Sequence, residues 1–192
     1  MTKTLRQIMD EDHDGWEYGT DKDDGHSYIE PYDELFARFK DVEKLNILEL
    51  GNHHGGSLRL WNEFFTNANI IGIEVDTRKG LRYFDDIDNV TVYENTSAIS
   101  FDTIRMIEGL DIKFDIIIDD ASHLPAHQSF SCQFWSRFLK EDGVLVIEDI
   151  QDIQHCETVT QWLPPNFDFK VIDLRENKGR FDDILIVAGA KK

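Results

Sequence analysis

Short, almost purely apolar runs alternate with segments of helical periodicity through most of this 192-residue chain. Runs such as residues 116–118 and 144–147 have the length of a buried strand. They are far shorter than the roughly 20 apolar residues that cross a membrane. Strands that are apolar on both faces are typical of parallel sheets covered by helices on each side. The pattern therefore predicts an α/β fold with a doubly wound, mainly parallel sheet.

The spacing of apolar residues also predicts the individual elements. Strands are predicted at residues 46–50, 70–75, 90–93, 114–119, 144–147, 167–174 and 183–188, and helices at 57–65, 98–108, 128–139 and 155–163. Residues 142–143 are interpreted as a turn, and Pro31 as part of the first turn of a helix. Only turn-rich residues separate the last two strands, so we expect an antiparallel hairpin. A seven-stranded sheet with such a hairpin is the Rossmann-like arrangement of class I methyltransferases, whereas nicotinamide-dependent dehydrogenases more often continue with strand–helix units.

Charge and composition exclude several classes of partner. Acidic residues outnumber basic ones by 38 to 20, and nucleic-acid-binding surfaces need clustered Lys and Arg, so we expect no nucleic-acid partner. The polar N-terminus lacks a signal-peptide core, so the sequence predicts a soluble, cytoplasmic protein without membrane insertion. Cys132 and Cys156 form no CxxC motif and are interpreted as free thiols.

A glycine-rich turn follows the first predicted strand, at residues 51–57. Sheets of this kind bind ligands beyond the carboxyl ends of their strands, and glycines let backbone N–H groups approach a ligand closely. Histidine replaces the middle glycine of a GxGxxG motif here, which favours a nucleoside carrying an amino acid over a pyrophosphate. Turns like this also occur without any ligand. The predicted cofactor contacts are Gly51, Asn52, His53, Gly55 and Ser57.

Polar residues follow the next two predicted strands. Glu74 ends the second strand about 20 residues after the glycine turn, a spacing that suits hydrogen bonds to ribose hydroxyls. A solvated loop acid is the alternative interpretation of Glu74, and Asp76 is interpreted as a loop or capping residue. Thr96, after the third strand, is a candidate contact for an adenine edge or a helix N-cap.

Two further strands end in pairs of acids, Asp119-Asp120 and Glu148-Asp149. We expect these strands to be neighbours about 4.8 Å apart, so that the four carboxylates repel and raise one another's pKa. No Lys or Arg lies immediately beside either pair in the sequence, and a bound Mg²⁺, which prefers oxygen ligands, would neutralise them. His123 follows the first pair and is a candidate base for a substrate hydroxyl.

Together these motifs resemble the sugar O-methyltransferases of the macrocin, mycinamicin and rhamnosyl type. Four segments carry the resemblance: residues 19–22 with His26 and Tyr28, residues 55–61, residues 119–123 and residues 147–151. The family commonly has glycine where Ala121 stands, and His53 is unusual in its glycine turn. The resemblance implies S-adenosylmethionine as methyl donor and a divalent metal, usually Mg²⁺, that binds the acceptor sugar diol.

The resemblance also implies roles for the acidic pairs. Asp120, Glu148 and Asp149 match the family's metal ligands, and His123 matches its general base, which places Asp120 and His123 at the catalytic centre. Asp119 is then expected to face the cofactor, because successive residues of a strand point in opposite directions.

A final implication concerns the N-terminal segment. Residues 19–28 look like the family's loop that closes over cofactor and acceptor, which makes Thr20 and Lys22 candidate cofactor contacts. We interpret residues 1–40 as a cap of helix and loop and residues 41–192 as one compact methyltransferase domain. The chain is compatible with an oligomer and with a place beside a glycosyltransferase domain in a longer protein.

The sequence thus predicts methyl transfer to a hydroxyl of a rhamnose-like residue on a glycan or glycoside. A metal-dependent O-methyltransferase for catechols is the first alternative, with Trp16, Tyr18 and Trp162 as candidate walls of a flat pocket. A non-catalytic cofactor-binding domain is the second alternative, because a fold does not establish an activity.

Overall fold

The structure is a computed structural model that describes residues 3–11, 16–17 and 19–191; the predicted pocket residue Tyr18 lies outside the described residues. The strands are β1 Leu45–Leu50, β2 Ala68–Ile73, β3 Val90–Tyr93, β4 Phe114–Asp119, β5 Leu139–Ile147, β6 Phe167–Asp173 and β7 Ile184–Ala190. The α-helices are α1 Leu5–Glu11, α2 Asp21–Asp24, α3 Ile29–Phe36, α4 Gly56–Phe64, α5 Phe101–Glu108, α6 Pro125–Phe134, α7 His155–Thr160 and α8 Arg175–Lys178. Short 3-10 helices lie at Ala37–Phe39, Lys79–Phe84 and Trp135–Phe138.

The strands of the described residues form one sheet in the order β3-β2-β1-β4-β5-β7-β6. Neighbouring strands are parallel except at β7, which runs antiparallel to both β5 and β6. The strand order reverses between β1 and β4, which is where sheets of this kind bind ligands. The predicted doubly wound sheet, its C-terminal hairpin and the adjacency of β4 and β5 are confirmed.

Buried apolar side chains cover both faces of this sheet. Ile47 and Ile116 face one core, whereas their strand neighbours Leu48 and Ile117 face the other. The N-terminal helices contribute to the first of these cores, for example through Leu5 of α1, so they are packed onto the sheet. Within the described residues, none of the helices combines the length and apolar character that crossing a bilayer requires. Both cysteines are free and buried, as expected.

The largest error in the predicted elements concerns β5. This strand begins at Leu139, whereas a turn was predicted at residues 142–143 and a strand only from Val144. The early part of β5 contains exposed polar residues, and its pairing with β4 shifts register between Phe114 and Ile116. The exposed polar residues at the irregular start of β5 were therefore mistaken for a turn.

Helix boundaries differ because capping groups set them. The Ser100 hydroxyl accepts the N–H of Asp102, so α5 starts at Phe101 instead of residue 98, and Ile99, within the predicted helix, is 39% exposed. Pro125 occupies the first turn of α6, three residues before the predicted start. The helix α3 begins at Ile29, so Pro31 lies within its first turn, and the turn-rich residues between β6 and β7 include the helix α8.

Candidate active site

The glycine turn joins β1 to α4 in left-handed backbone conformations. Gly51 has φ of 82° and lies against the end of β4, where an added Cβ would overlap the carbonyl oxygen of Asp120. His53 has φ of 46°, so a histidine adopts the left-handed conformation that glycine would adopt more easily. His53, which replaces the middle glycine of the GxGxxG motif, therefore keeps the left-handed backbone of the turn.

Glu74 stabilises this turn from the end of β2. One carboxylate oxygen, Oε2, accepts the backbone N–H groups of Asn52 at 2.9 Å and His53 at 2.7 Å, and Oε1 accepts the N–H of Asp76 at 3.1 Å. The residue is only 4% exposed. The predicted ribose acid therefore also has a structural role that the spacing of acidic residues did not indicate.

A cavity of about 730 Å³ opens above the glycine turn. Among the described residues, seven predicted cofactor contacts and two predicted catalytic residues line it, namely Thr20, Gly51, Asn52, His53, Ser57, Glu74, Thr96, Asp120 and His123. Apolar walls come from Ile73, Val75 and Ile99. Thr96 is not a helix cap, because Ser100 caps α5.

Three predicted cofactor residues of the described chain lie outside the cavity wall. Gly55, with φ of 87°, faces the ring of Phe84. Asp119 points toward α6 and not into the cavity: its side chain hydrogen-bonds with Ser131, and its Oδ1 accepts the N–H of Ala121 at 3.2 Å. Burial raises the pKa of Asp119 to about 6. The third residue is Lys22, which contacts the acidic cluster instead.

The predicted metal ligands come together at the ends of β4 and β5, but a lysine lies among them. The ammonium nitrogen of Lys22 is 2.8 Å from Asp120 Oδ2, and 2.7 and 2.8 Å from the two oxygens of Glu148. Glu49 of β1 lies 3.9 Å away. No Lys or Arg lies immediately beside either acid pair in the sequence, but Lys22, from 98 and 126 residues earlier in the chain, neutralises them in the structure.

Burial and charge act against each other on the pKa values of this cluster. Burial alone would raise the pKa of Asp120, but Lys22 and His123 lower it. Burial raises the pKa of Glu148 despite the opposing effect of Lys22, and raises that of Glu49 to about 7. Burial would lower the pKa of Lys22, but the acids around it raise that pKa, so the ammonium stays charged.

Two buried tyrosines from the N-terminal segment also bind the acids. Tyr28 donates its hydroxyl hydrogen bond to Asp149 Oδ1 at 2.6 Å, and Tyr32 donates to Glu148 Oε1 at 2.6 Å. Sequence reasoning missed both Tyr32 and Glu49. Tyr28 is the N-cap residue of α3 and Tyr32 lies one helical turn later, so the spacing of four residues was the available signal for Tyr32. An acid within the apolar strand β1 was the available signal for Glu49.

His123 lies where the carboxylates of Asp120 and Asp149 converge. Its Nε2 is 3.3 Å from Asp120 Oδ1 and 3.4 Å from Asp149 Oδ2. The hydrogen bond with Asp120 raises the pKa of His123. Both His123 and Asp149 have φ of 55°, a strained conformation for such residues that is often found at functional sites.

The donor set fits a divalent cation. Ligand atoms of Asp120, His123 and Asp149 all lie within 4.8 Å of one another, and the carboxylate oxygens of Asp120 and Asp149 are ligands that Mg²⁺ prefers, which leaves His123 Nε2 beside them as a candidate base. Glu148 lies behind this group, with both oxygens bonded to Lys22. Asp120 and Glu148 also lie in a second such group with Glu49, so ligation by Asp120, Glu148 and Asp149 stays a prediction.

The order and directions of the strands, with a cavity at the strand ends, define a class I methyltransferase fold. A family model described as a methyltransferase domain matches residues 48–150, more than half of the chain, and the chain belongs to this family.

Several characterised proteins are similar to the chain. An 8-demethyl-8-alpha-L-rhamnosyl tetracenomycin-C 2'-O-methyltransferase of Streptomyces olivaceus is 29% identical over 70% of the chain and 36% of its own length. The mycinamicin VI 2''-O-methyltransferase of Micromonospora griseorubida is 29% identical over 65% of the chain and 32% of its own length. The chain thus spans about a third of the length of these relatives.

A solved structure shares the fold over the whole chain. The MycE methyltransferase of the mycinamycin biosynthetic pathway, in complex with Mg and SAH, matches with a TM-score of 0.74 at 19% identity. The match covers 100% of this chain and 56% of MycE.

Proposed function

We propose that this chain transfers a methyl group from S-adenosylmethionine to a hydroxyl of a sugar acceptor, assisted by a divalent metal. One observation carries the proposal: Asp120, Asp149 and His123 converge beside a cavity of about 730 Å³, within the usual size range of small-molecule sites. The relatives named as sugar O-methyltransferases and the MycE complex with Mg and SAH support it.

The donor would bind at the ends of β1 and β2. The turn at residues 51–53 lines the cavity, and Glu74 lies next to it with hydrogen-bonding capacity remaining on Oε1, which accepts one N–H group, whereas Oε2 accepts two. Ile73, Val75 and Ile99 supply apolar walls for a flat base. This half of the site would bind and orient the methyl donor.

The acceptor would bind at the ends of β4 and β5. When bound, S-adenosylmethionine supplies an electrophilic methyl group, and a divalent cation supplies a Lewis acid that lowers the pKa of a hydroxyl. His123 Nε2 accepts the proton that the hydroxyl loses, and Asp120 and Asp149 stabilise the resulting imidazolium. A positioned general base contributes a factor of about 10²–10⁴ to the rate.

A sugar suits the polar rim of the cavity better than a catechol does. Ser122 and His127 line the cavity, and the Ser122 hydroxyl is 2.6 Å from the Nδ1 atom of His127. Of the described tryptophans offered as walls of a flat pocket, Trp16 is buried in a core and Trp162 is 48% exposed, and neither lines this cavity. The cytoplasmic location, the oligomer, the glycosyltransferase domain and the domain boundary at residue 40 stay predictions.

Mass-detected turnover tests the proposal. The protein is incubated with S-adenosylmethionine, Mg²⁺ and a panel of rhamnosides and catechols, and we expect methylated rhamnosides whose formation stops in EDTA. Products from catechols alone would refute the sugar acceptor. Turnover that is indifferent to EDTA would refute the metal, and donor binding without any product would favour a non-catalytic domain.

A further inference from the structure

Lys22 occupies the centre of the acidic cluster formed by Glu49, Asp120 and Glu148. Lys22 and Glu49 are fully buried, Glu148 is 2% exposed, and the Asp120 side chain is 22% exposed. In the described part of the chain, no other lysine or arginine lies within 4 Å of these three acids. A single ammonium group therefore faces three carboxyl groups.

The position of Lys22 is fixed by its own backbone. The Thr20 hydroxyl caps α2 by accepting the N–H of Lys22, and the carbonyl of Lys22 accepts the N–H of Tyr28 at 3.0 Å. Gly56 lies so close to the carbonyl of Gly19 that an added Cβ would overlap it. The segment predicted to close over the site as a loop is thus packed against the start of α4, with its lysine in the acidic cluster at the ends of β4 and β5.

Like charges at these distances repel strongly where water is excluded, and removing one partner of a buried ion pair leaves the other uncompensated. We propose that Lys22 is a positioning residue and the built-in counter-cation of this cluster: it holds Asp120 and Glu148 together before a metal binds. A divalent cation at Asp120 and Asp149 then adds little to the stability of the fold. When Lys22 is removed, the metal becomes the main source of positive charge.

Thermal unfolding of the whole chain in EDTA and in Mg²⁺ tests this. We expect Lys22→Met, of similar length but uncharged, to unfold about 10 °C below the unchanged protein in EDTA. Mg²⁺ should raise the unfolding temperature of Lys22→Met by more than twice the shift seen in the unchanged protein. Lys140→Met is the matched control, because Lys140 binds Asp115 at 2.7 Å at the other end of the sheet. Its Mg²⁺ shift should equal that of the unchanged protein.

A second variant covers the case in which Lys22→Met fails to fold. Lys22→Met combined with Glu148→Gln removes one positive and one negative charge, and it should unfold at a higher temperature than Lys22→Met alone. A double variant less stable than Lys22→Met, or an equal Mg²⁺ shift in Lys22→Met and the unchanged protein, would overturn the proposal. The inference rests on the metal site of the proposed function, but the measurement uses neither donor nor acceptor, so failed methyl transfer would leave it standing.

Discussion

The two halves of the cavity are built in different ways, although they share one edge of the sheet. At the ends of β1 and β2, a turn with the left-handed residues Gly51 and His53 lines the cavity, and Glu74 binds the N–H groups of Asn52 and His53. At the ends of β4 and β5, side chains form the surface, and Lys22 and Tyr32 reach them from the N-terminal segment. We call the ends of β1 and β2 the binding half and the ends of β4 and β5 the chemical half, after the roles proposed for them. Because the two halves are built differently, we expect donor binding and methyl transfer to be impaired by different substitutions.

The largest expected effect is on the chemical half. His123→Ala should lower kcat by about 10²–10⁴, because the hydroxyl proton loses its acceptor, while the dissociation constant of S-adenosylmethionine stays within a few-fold. Steady-state kinetics and calorimetry measure the two quantities. His155→Ala is the control, since His155 of α7 does not line the cavity. Unchanged turnover in His123→Ala would remove His123 as the base and with it the contrast between the halves.

The features that were predicted correctly from the sequence depend on residues close together in the chain, and the contact that was missed joins residues far apart. The limits of β3 and β4 were predicted without error, and the pairing of β4 with β5 followed from strand order, because alternating apolar segments determine a parallel sheet. The positions of the glycine turn and of Glu74 at the cavity also followed from the sequence, because each comes at the end of a predicted strand, and their contacts with a cofactor stay predictions. Lys22 was assigned to the wrong half because its partners Asp120 and Glu148 are 98 and 126 residues away, and no local pattern reports such a contact.

A smaller effect is expected on the binding half. Glu74→Gln replaces one carboxylate oxygen with an amide group that cannot accept a backbone N–H, so the turn at residues 51–53 loses part of its support. Hydrogen bonds to charged groups contribute about 1.5–3 kcal/mol, so the dissociation constant of S-adenosylmethionine should rise about 10- to 100-fold. At saturating donor, kcat should change little. Asp76→Asn, an exposed acid two residues on, is the control for donor titrations.

Next in size is the support of the acidic cluster by α3. Tyr32→Phe removes the 2.6 Å hydrogen bond to Glu148 without removing the ring, which leaves a buried carboxylate oxygen less satisfied. We expect the free energy of unfolding to fall by about 1–3 kcal/mol in urea denaturation, with donor affinity unchanged. Tyr83→Phe, at a 49% exposed tyrosine, should stay within about 0.5 kcal/mol. Equal losses in the two variants would mean that the hydroxyl contact to Glu148 has no special weight.

The smallest expected effect lies where the halves meet, at Ser57. This residue lines the cavity and was predicted to contact the cofactor, yet its hydroxyl donates a 2.7 Å hydrogen bond to Glu49, the acid beside Lys22. A hydroxyl committed to Glu49 is not free to donate to a ligand, so Ser57→Ala should cost about 1 kcal/mol of stability and change donor affinity less than threefold. Denaturation and donor titration of the same protein decide between the roles. A tenfold loss of donor affinity at unchanged stability would assign Ser57 to the binding half, and Glu49 would then be the first residue of the chemical half.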